Sequence, residues 1–342
     1  MPSLRNILEK AVSMRATDIH VCADAPLLFR MGGSLVPITK EPLSAEEARA
    51  ISLEALSDDD RHDLETHLDH DLVVANPHGR FRINVGYFQG KVGAVIRVLP
   101  KHPRVLAELK LPEVVQQLAR KPKGIVLVTG STSQGKTTTL AAMVDDVNAN
   151  LQRHIITIED PIEYVHTNKL SIVRQREAGK DTRSFQEGLR AALRQDPNVI
   201  LIGEMRDYET IKIALTAAET GVLVLSTLHV ISVDKILERL LSYAPPSDEG
   251  NMRYLLADSL LGVIHQELLP AAGGGKRIAC EVLLANDAVR NILRKRGAYQ
   301  LKDVVTTGRQ QGMVSMKQSI EGLLQERAIT PDVAQSVLAQ YS

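Results

Sequence analysis

The sequence predicts an α/β protein built on a largely parallel sheet, with a smaller mixed domain before it and a helical segment after it. Three observations carry this. Apolar segments at 125–129, 155–158, 199–202 and 222–228 are separated by stretches with helical spacing, an alternation that yields parallel strands covered by helices. Before residue 100 the apolar residues alternate in twos, the period of half-buried strands. Beyond Asn286 only helical spacing remains. The expected division is a small α+β domain over 1–100, a linker at 101–112, the α/β core at 113–285 and helices at 286–342.

The first domain opens on a helix from about Leu4 to Ser13, with Leu4, Ile7, Leu8 and Ala11 on one face. Asp18 to Val21 alternates as a strand, and Leu27–Met31 turns at Gly32-Gly33 into another at Leu35–Ile38. Ser44 followed by Glu47 is a capping box opening a helix. His67 and His70 lie three apart on what reads as one helix face, solvated with Asp69 between them. Phe81, Ile83, Val85 and Tyr87 share one face of a later strand, with Arg80, Arg82 and Asn84 opposite; Val92, Ala94, Ile96 and Val98 mark the next, with Arg97 opposite. The linker carries prolines and charges.

The most specific feature is Gly130-Ser131-Thr132-Ser133-Gln134-Gly135-Lys136-Thr137, followed by Thr138. It fits Gly-x4-Gly-Lys-Thr, and it lies between an apolar strand and a helix in which Leu140, Met143, Val144 and Val147 recur. That context makes it a phosphate-binding loop. Backbone N–H groups close around phosphate oxygens at a helix N-terminus. Lys136 then reaches the β- and γ-phosphates of ATP, and the Thr137 hydroxyl holds Mg²⁺.

Other strands deliver acidic and imidazole groups to the same sheet edge, where open α/β sheets bind ligands. The second ends in Glu159-Asp160-Pro161-Ile162-Glu163, carboxylates of the kind that orient water and hold Mg²⁺. The third ends in Gly203-Glu204, and Glu204 is the first choice for aligning the attacking water. The fourth ends in His229, placed to sense the γ-phosphate. Arg82 and Arg97 read either as surface cations or as arginine fingers that reach a nucleotide held by the second domain of the same or a neighbouring chain. Ser184 and Glu187 cap a helix carrying Arg190, with Arg194 on the same face; Arg294-Lys295-Arg296 reads as a solvated cationic end.

Composition narrows the alternatives. The 41 basic and 41 acidic residues balance, so net charge gives no argument for direct nucleic-acid binding. The cysteines are Cys22 and Cys280, far apart and without metal-ligand spacing, which fits a reducing cytoplasm. No apolar run approaches the roughly 20 residues of a membrane span, so membrane insertion is not expected and any membrane contact runs through a partner.

Together these residues resemble the type IV pilus twitching-motility (PilT-type) ATPases of the secretion ATPase superfamily, over nearly the whole chain. The phosphate loop continues as Lys136-Thr137-Thr138-Thr139. Ile158 to Glu163 is similar to the family's acidic box, and Arg194-Gln195-Asp196-Pro197 through Asp207 to its atypical Walker B segment. Ala218-Glu219-Thr220-Gly221 through His229 is similar to its histidine box, and Arg80, Arg82 and Arg97 to its N-domain arginines. The resemblance implies a PAS-like first domain, a RecA-like P-loop ATPase domain and a ring hexamer. It makes Glu204 the catalytic glutamate, Glu163 a metal and water support, and His229 the coupler of nucleotide state to movement. Peripheral attachment to an inner-membrane pilus platform protein follows, with a related pilus ATPase as a second partner. The implied output is pilus retraction, seen as twitching or DNA uptake. Two departures stand out. Val230-Ile231 follows His229 where the family carries a hydroxyl or amide residue, and Lys295 replaces Glu at the end of the retraction signature Ala288-Val289-Arg290-Asn291-Ile292-Leu293-Arg294. They keep an accessory paralogue as an alternative. A secretion or pilus-assembly ATPase would usually add an N-terminal domain and a four-cysteine zinc module.

Overall fold

The computed structural model describes residues 3–295 and 298–341, which leaves Arg296 of the cationic run outside the described residues. The chain divides into two compact units, Met1–His102 and Pro103–Ser342.

In the first unit, α1 (Leu4–Ser13) is capped by the Ser3 hydroxyl and buries Leu4, Ile7, Leu8 and Ala11, the face expected from spacing. Strands β1 (Asp18–Val21), β2 (Leu28–Met31) and β3 (Ser34–Pro37) precede α2 (Ala45–Leu53), whose capping box pairs Ser44 with Glu47, and α3 (Asp58–His67). Then come β4 (Asp69–Asn76), β5 (Gly79–Phe88) and β6 (Lys91–Leu99). The six strands form one antiparallel sheet in the order β3-β2-β1-β6-β5-β4. Phe29, Phe81, Ile83 and Ile96 lie in the core between this sheet and the helices.

The histidine pair is one correction. His67 ends α3, Leu68 takes a left-handed conformation (φ 62°), and His70 belongs to β4, with its Nε2 3.0 Å from Asp60 Oδ1. The two histidines therefore share no helix face. Strand β4 was not visible in the sequence because its partly buried pattern lacks clean alternation.

The second unit begins with a short 3₁₀ turn, Leu106–Leu109, whose two leucines are buried in the unit's core. The remaining elements are α4 (Glu113–Ala119), β7 (Gly124–Thr129), α5 (Lys136–Asn150), β8 (His154–Glu159), β9 (Ile172–Glu177), α6 (Phe185–Ala192), β10 (Val199–Ile202), α7 (Tyr208–Thr220), β11 (Leu223–Leu228), α8 (Ile236–Leu241) and α9 (Glu249–Ser259). They are followed by β12 (Leu260–Pro270), β13 (Lys276–Leu284), α10 (Asp287–Arg294), α11 (Leu301–Thr307), α12 (Met316–Gln325) and α13 (Pro331–Leu338). The sheet order is β13-β12-β7-β11-β10-β8-β9, parallel throughout except for β13.

Three of these strands are not apparent from sequence. The polar edge strand β9 reads as loop, and the β12–β13 hairpin carries long apolar runs that period alone does not separate from buried helix. The segment after Asn286 is helical, but it is not one separate body. Val289, Leu293, Leu301 and Val305 share the main core, whereas α12 and α13 pack on Leu269 and Ala279 of the hairpin. The signature residue Arg290 has a local structural role. Its guanidinium donates to the carbonyls of Ala257, Asp258 (2.8 Å) and Leu260 (3.1 Å), carbonyls at the C-terminal end of α9.

Candidate active site

All six residues of β7 are buried, so the strand delivers the loop after Thr129 to a fixed place. Gly130 (φ 140°) lies directly against β12, where an added Cβ would stand 2.5 Å from the Gln266 carbonyl. Gly135 (φ 81°) starts α5, and no side chain caps it. The first-turn N–H groups therefore face the loop, with the positive end of a 15-residue helix behind them. That is the chemistry of an anion site, and it fits a nucleotide's phosphates.

The side chains of the loop divide the work. Lys136 is buried and folds back on the loop, its Nζ donating to the carbonyls of Gly130 (2.9 Å) and Ser131 (2.8 Å). Burial lowers its pKa, an effect partly opposed by Glu204. Gln134 turns away, with Oε1 accepting from Leu268 N and its carbonyl accepting from Gln266 Nε2 (2.6 Å), so its side chain is committed to β12. Thr138 Oγ1 lies 2.8 Å from the Tyr164 hydroxyl, and Thr139 donates to Gln266 Oε1 at 2.9 Å. With Thr138 and Thr139 committed to protein, Thr137 is the threonine of this turn suited to a metal. Ser131, Thr132 and Ser133 are exposed, and Ser133 has φ 64°.

Strands β7, β11, β10 and β8 run parallel, so their C-terminal ends meet at one edge. His229 follows β11 and Glu204 follows β10. His229 Nδ1 lies 3.5 Å from Lys136 Nζ, and its Nε2 lies 3.6 Å from Glu204 Oε2. Arg206 contacts the other Glu204 oxygen. Two hydroxyls fix the strand ends beneath these groups: Ser226 Oγ donates to Ile202 O (2.8 Å) and Thr227 Oγ1 to Gly203 O (2.7 Å). The three residues expected from sequence thus form one row, Lys136–His229–Glu204.

His229 is held below the ordinary histidine value, by burial first and then by the Lys136 charge, with Glu204 opposing. It is therefore neutral at pH 7, and its approach to Glu204 is not an ion pair. Lys136 can only donate, so Nδ1 is the acceptor and Nε2–H faces the carboxylate. If the neutral form is the working one, turnover should stay level through neutral pH and decline only on the acid side, below the ordinary histidine range. A pH profile of kcat checks this; an acid limb beginning above about pH 7 contradicts the assignment.

The acidic segment after β8 separates into two roles. Glu159 is buried and accepts from Thr157 Oγ1 (2.7 Å) and Gln175 Nε2 (3.0 Å), which ties it to the sheet. Glu163 is half-buried and adjoins Tyr164, so it flanks the first turn of α5. Arg82 and Arg97 stand directly opposite each other on β5 and β6 of the first unit. Arg82 makes a two-pronged pair with Asp71 (3.2 and 2.8 Å), and Arg97 donates to Asp18 (3.0 Å). Arg190 pairs with Glu209. Sequence reasoning assigned no role to Arg206, Tyr164 or Gln266, whose partners are 2, 26 and 127–132 residues away; of these, only the spacing of Glu204 and Arg206 offered a local signal.

The comparisons agree with this geometry. The type II/IV secretion system protein family matches residues 1–339. The chain is 39% identical to the type IV pilus retraction ATPase PilT of Pseudomonas aeruginosa over 332 residues, 97% of this chain and 96% of that protein. It is 38% identical to the type IV pilus ATPase PilU of the same organism, over 95% of this chain and 85% of the relative. The crystal structure of the pilus retraction motor PilT with bound ADP superposes with a TM-score of 0.89 at 39% identity, covering 98% of this chain and 97% of that one. The α/β fold with its RecA-like P-loop ATPase domain is thereby established. Among the described residues, no helix is long and apolar enough to cross a membrane. The chain belongs to the type II/IV secretion system protein family, and within it to the PilT-type pilus retraction ATPases.

Proposed function

We propose that this chain hydrolyses ATP to ADP and phosphate, with Mg²⁺, as a ring-forming motor that drives type IV pilus retraction. The observation that carries it is the row Lys136–His229–Glu204 beside an uncapped helix N-terminus. The loop N–H groups and Lys136 bind and orient the phosphates. Glu204 lies at the same edge and is held by Arg206, so it can align a water and accept its proton. His229 bridges Lys136 and Glu204, so a change at the phosphates reaches β11 through it. Thr137 and Glu163 would hold the metal, which neutralises phosphate charge when bound.

The first unit supplies Arg82 and Arg97 as arginine fingers, in the same or a neighbouring subunit of a hexamer. The Arg82–Asp71 pair is a half-exposed surface pair, weak enough to exchange for a phosphate, and Arg97, half-exposed itself, shares the buried Asp18 with Arg30, which stays beside that carboxylate if Arg97 leaves. Arg82→Ala is expected to lower kcat about 10³-fold, with a much smaller change in ADP affinity. Equal kcat in variant and wild type would remove Arg82 from the mechanism. The protein acts in the cytoplasm, docked on an inner-membrane platform protein.

A second reading is an accessory paralogue that works beside the main motor. It is favoured by Val230-Ile231 after His229, with Ile231 70% exposed, and by Lys295 in the retraction signature. Two measurements decide. Purified protein should release phosphate from ATP only with Mg²⁺, and a ring that binds ATP without turnover would exclude the motor. Deleting the gene should leave excess, non-retracting pili, whereas normal retraction in the deletion strain would favour the accessory role.

A further inference from the structure

The phosphate loop rests on β12, a strand outside the motifs that define the site. Register places His265 beside Thr129, the residue that enters the loop. Successive residues of a strand face opposite sides of a sheet, so His265 and Gln266 hold different parts of the loop. Gln266 grips the far end, through the Gln134 carbonyl and Thr139. His265 grips the entrance: its Nδ1 lies 3.2 Å from Thr129 Oγ1. On its other side, Nε2 lies 3.2 Å from the hydroxyl of Tyr341, a residue beyond α13. The Tyr341 hydroxyl in turn lies 2.5 Å from Glu267 Oε1.

Donor and acceptor chemistry fixes the direction of this chain. A carboxylate only accepts, so Tyr341 donates its one proton to Glu267. The Tyr341 oxygen then accepts from His265 Nε2–H. His265 is 1% exposed, and burial pushes its pKa down to about 4, so the ring is neutral and its Nδ1 is a lone pair. Thr129 must therefore donate to it. The sequence of bonds is Thr129 to His265 to Tyr341 to Glu267, each proton with one place to go. The chain is largely buried, so removing one member leaves its neighbours without partners where water does not replace them. The position of Tyr341 is in turn set by α12 and α13, which pack on β12 and β13 through Leu269, Ala279 and Met316.

We propose that Tyr341 is a positioning residue for the phosphate loop, acting through His265 on Thr129 at the loop's entrance. This rests on the reading of the loop as the nucleotide site. Tyr341 sets the tautomer and place of His265, and so the orientation of the Thr129 hydroxyl one residue before Gly130.

The test uses the full chain with Tyr341→Phe, which removes one oxygen and keeps the ring. The ADP Kd, measured by calorimetry, should rise about 5–10-fold, and the KM for ATP should rise with it while kcat changes less. The melting temperature without nucleotide should stay within about 3 °C of wild type. His265→Ala should weaken ADP binding similarly, and the double variant should be no weaker than His265→Ala alone. Unchanged ADP affinity in Tyr341→Phe overturns the proposal, whether or not the melting temperature falls. So do losses that add in the double variant. A wild-type chain that fails to bind ADP overturns the nucleotide-site reading as well, which separates the two failures.

Discussion

Lys136→Ala should abolish measurable turnover, lowering kcat/KM by at least about 10³-fold, and should also weaken ADP binding. Removing one preorganised donor from a developing oxyanion costs about 10²–10³ in rate. Lys136 does more than donate. Its ammonium bonds the carbonyls of Gly130 and Ser131 and approaches His229 Nδ1. Alanine therefore removes a charge from the phosphate site, frees two carbonyls that face the loop and takes away the partner that orients His229. Phosphate release and ADP calorimetry on the same preparation separate these effects. Binding that survives with turnover lost would confine Lys136 to the transition state; both surviving would place the chemistry elsewhere. Lys136→Arg should not rescue, because the buried position between two carbonyls fits a compact ammonium and not a planar fork.

Glu204→Gln should lower kcat about 10²–10⁴-fold, the usual contribution of a positioned general base, with ADP affinity nearly kept. The substitution preserves shape and removes the charge. Glu204 lies 3.6 Å from His229 Nε2 and is paired with Arg206, both contacts to side chains rather than to the loop backbone. The effect should therefore fall on the chemical step. Single-turnover measurement with prebound ATP reads that step directly. A variant that turns over at the wild-type rate would transfer the base role to Glu163, the other acidic candidate at this edge. Glu204→Gln should also let the His229 pKa fall further, since the carboxylate is the charge that favours its protonated form. The acid limb of the residual activity should accordingly move to lower pH.

Both residues are legible in the sequence because local patterns announce them. The motif sets a glycine loop between a buried strand and a helix, and that alone places Lys136 in the first turn of α5, beside the loop. Glu204 and His229 fall at the same edge because parallel strands all end there. The alternation on β5 and β6 likewise puts Arg82 and Arg97 on one polar face, and the register sets them opposite each other. What stays hidden has a common cause. β9 is a polar edge strand, β4 is an edge strand whose apolar Leu72, Val73, Val74 and Ala75 run together without alternation, and β12–β13 is an apolar hairpin that period alone does not identify. The two histidines at 67 and 70 have helical spacing, but a left-handed residue at Leu68 ends the helix between them.

The sequence by itself determined the nucleotide loop, the alternation that makes a parallel sheet and the residue types at its C-terminal edge, because each is written in short-range spacing. Only the tertiary structure decided how they act together. The 3.5 and 3.6 Å approaches that join Lys136, His229 and Glu204 span 93 and 25 residues of chain. The support of the loop by Gln266, His265 and Tyr341 comes from elements more than 120 residues away. Such contacts depend on which strands become neighbours, and neighbourhood in a sheet follows from burying the whole core rather than from any local pattern.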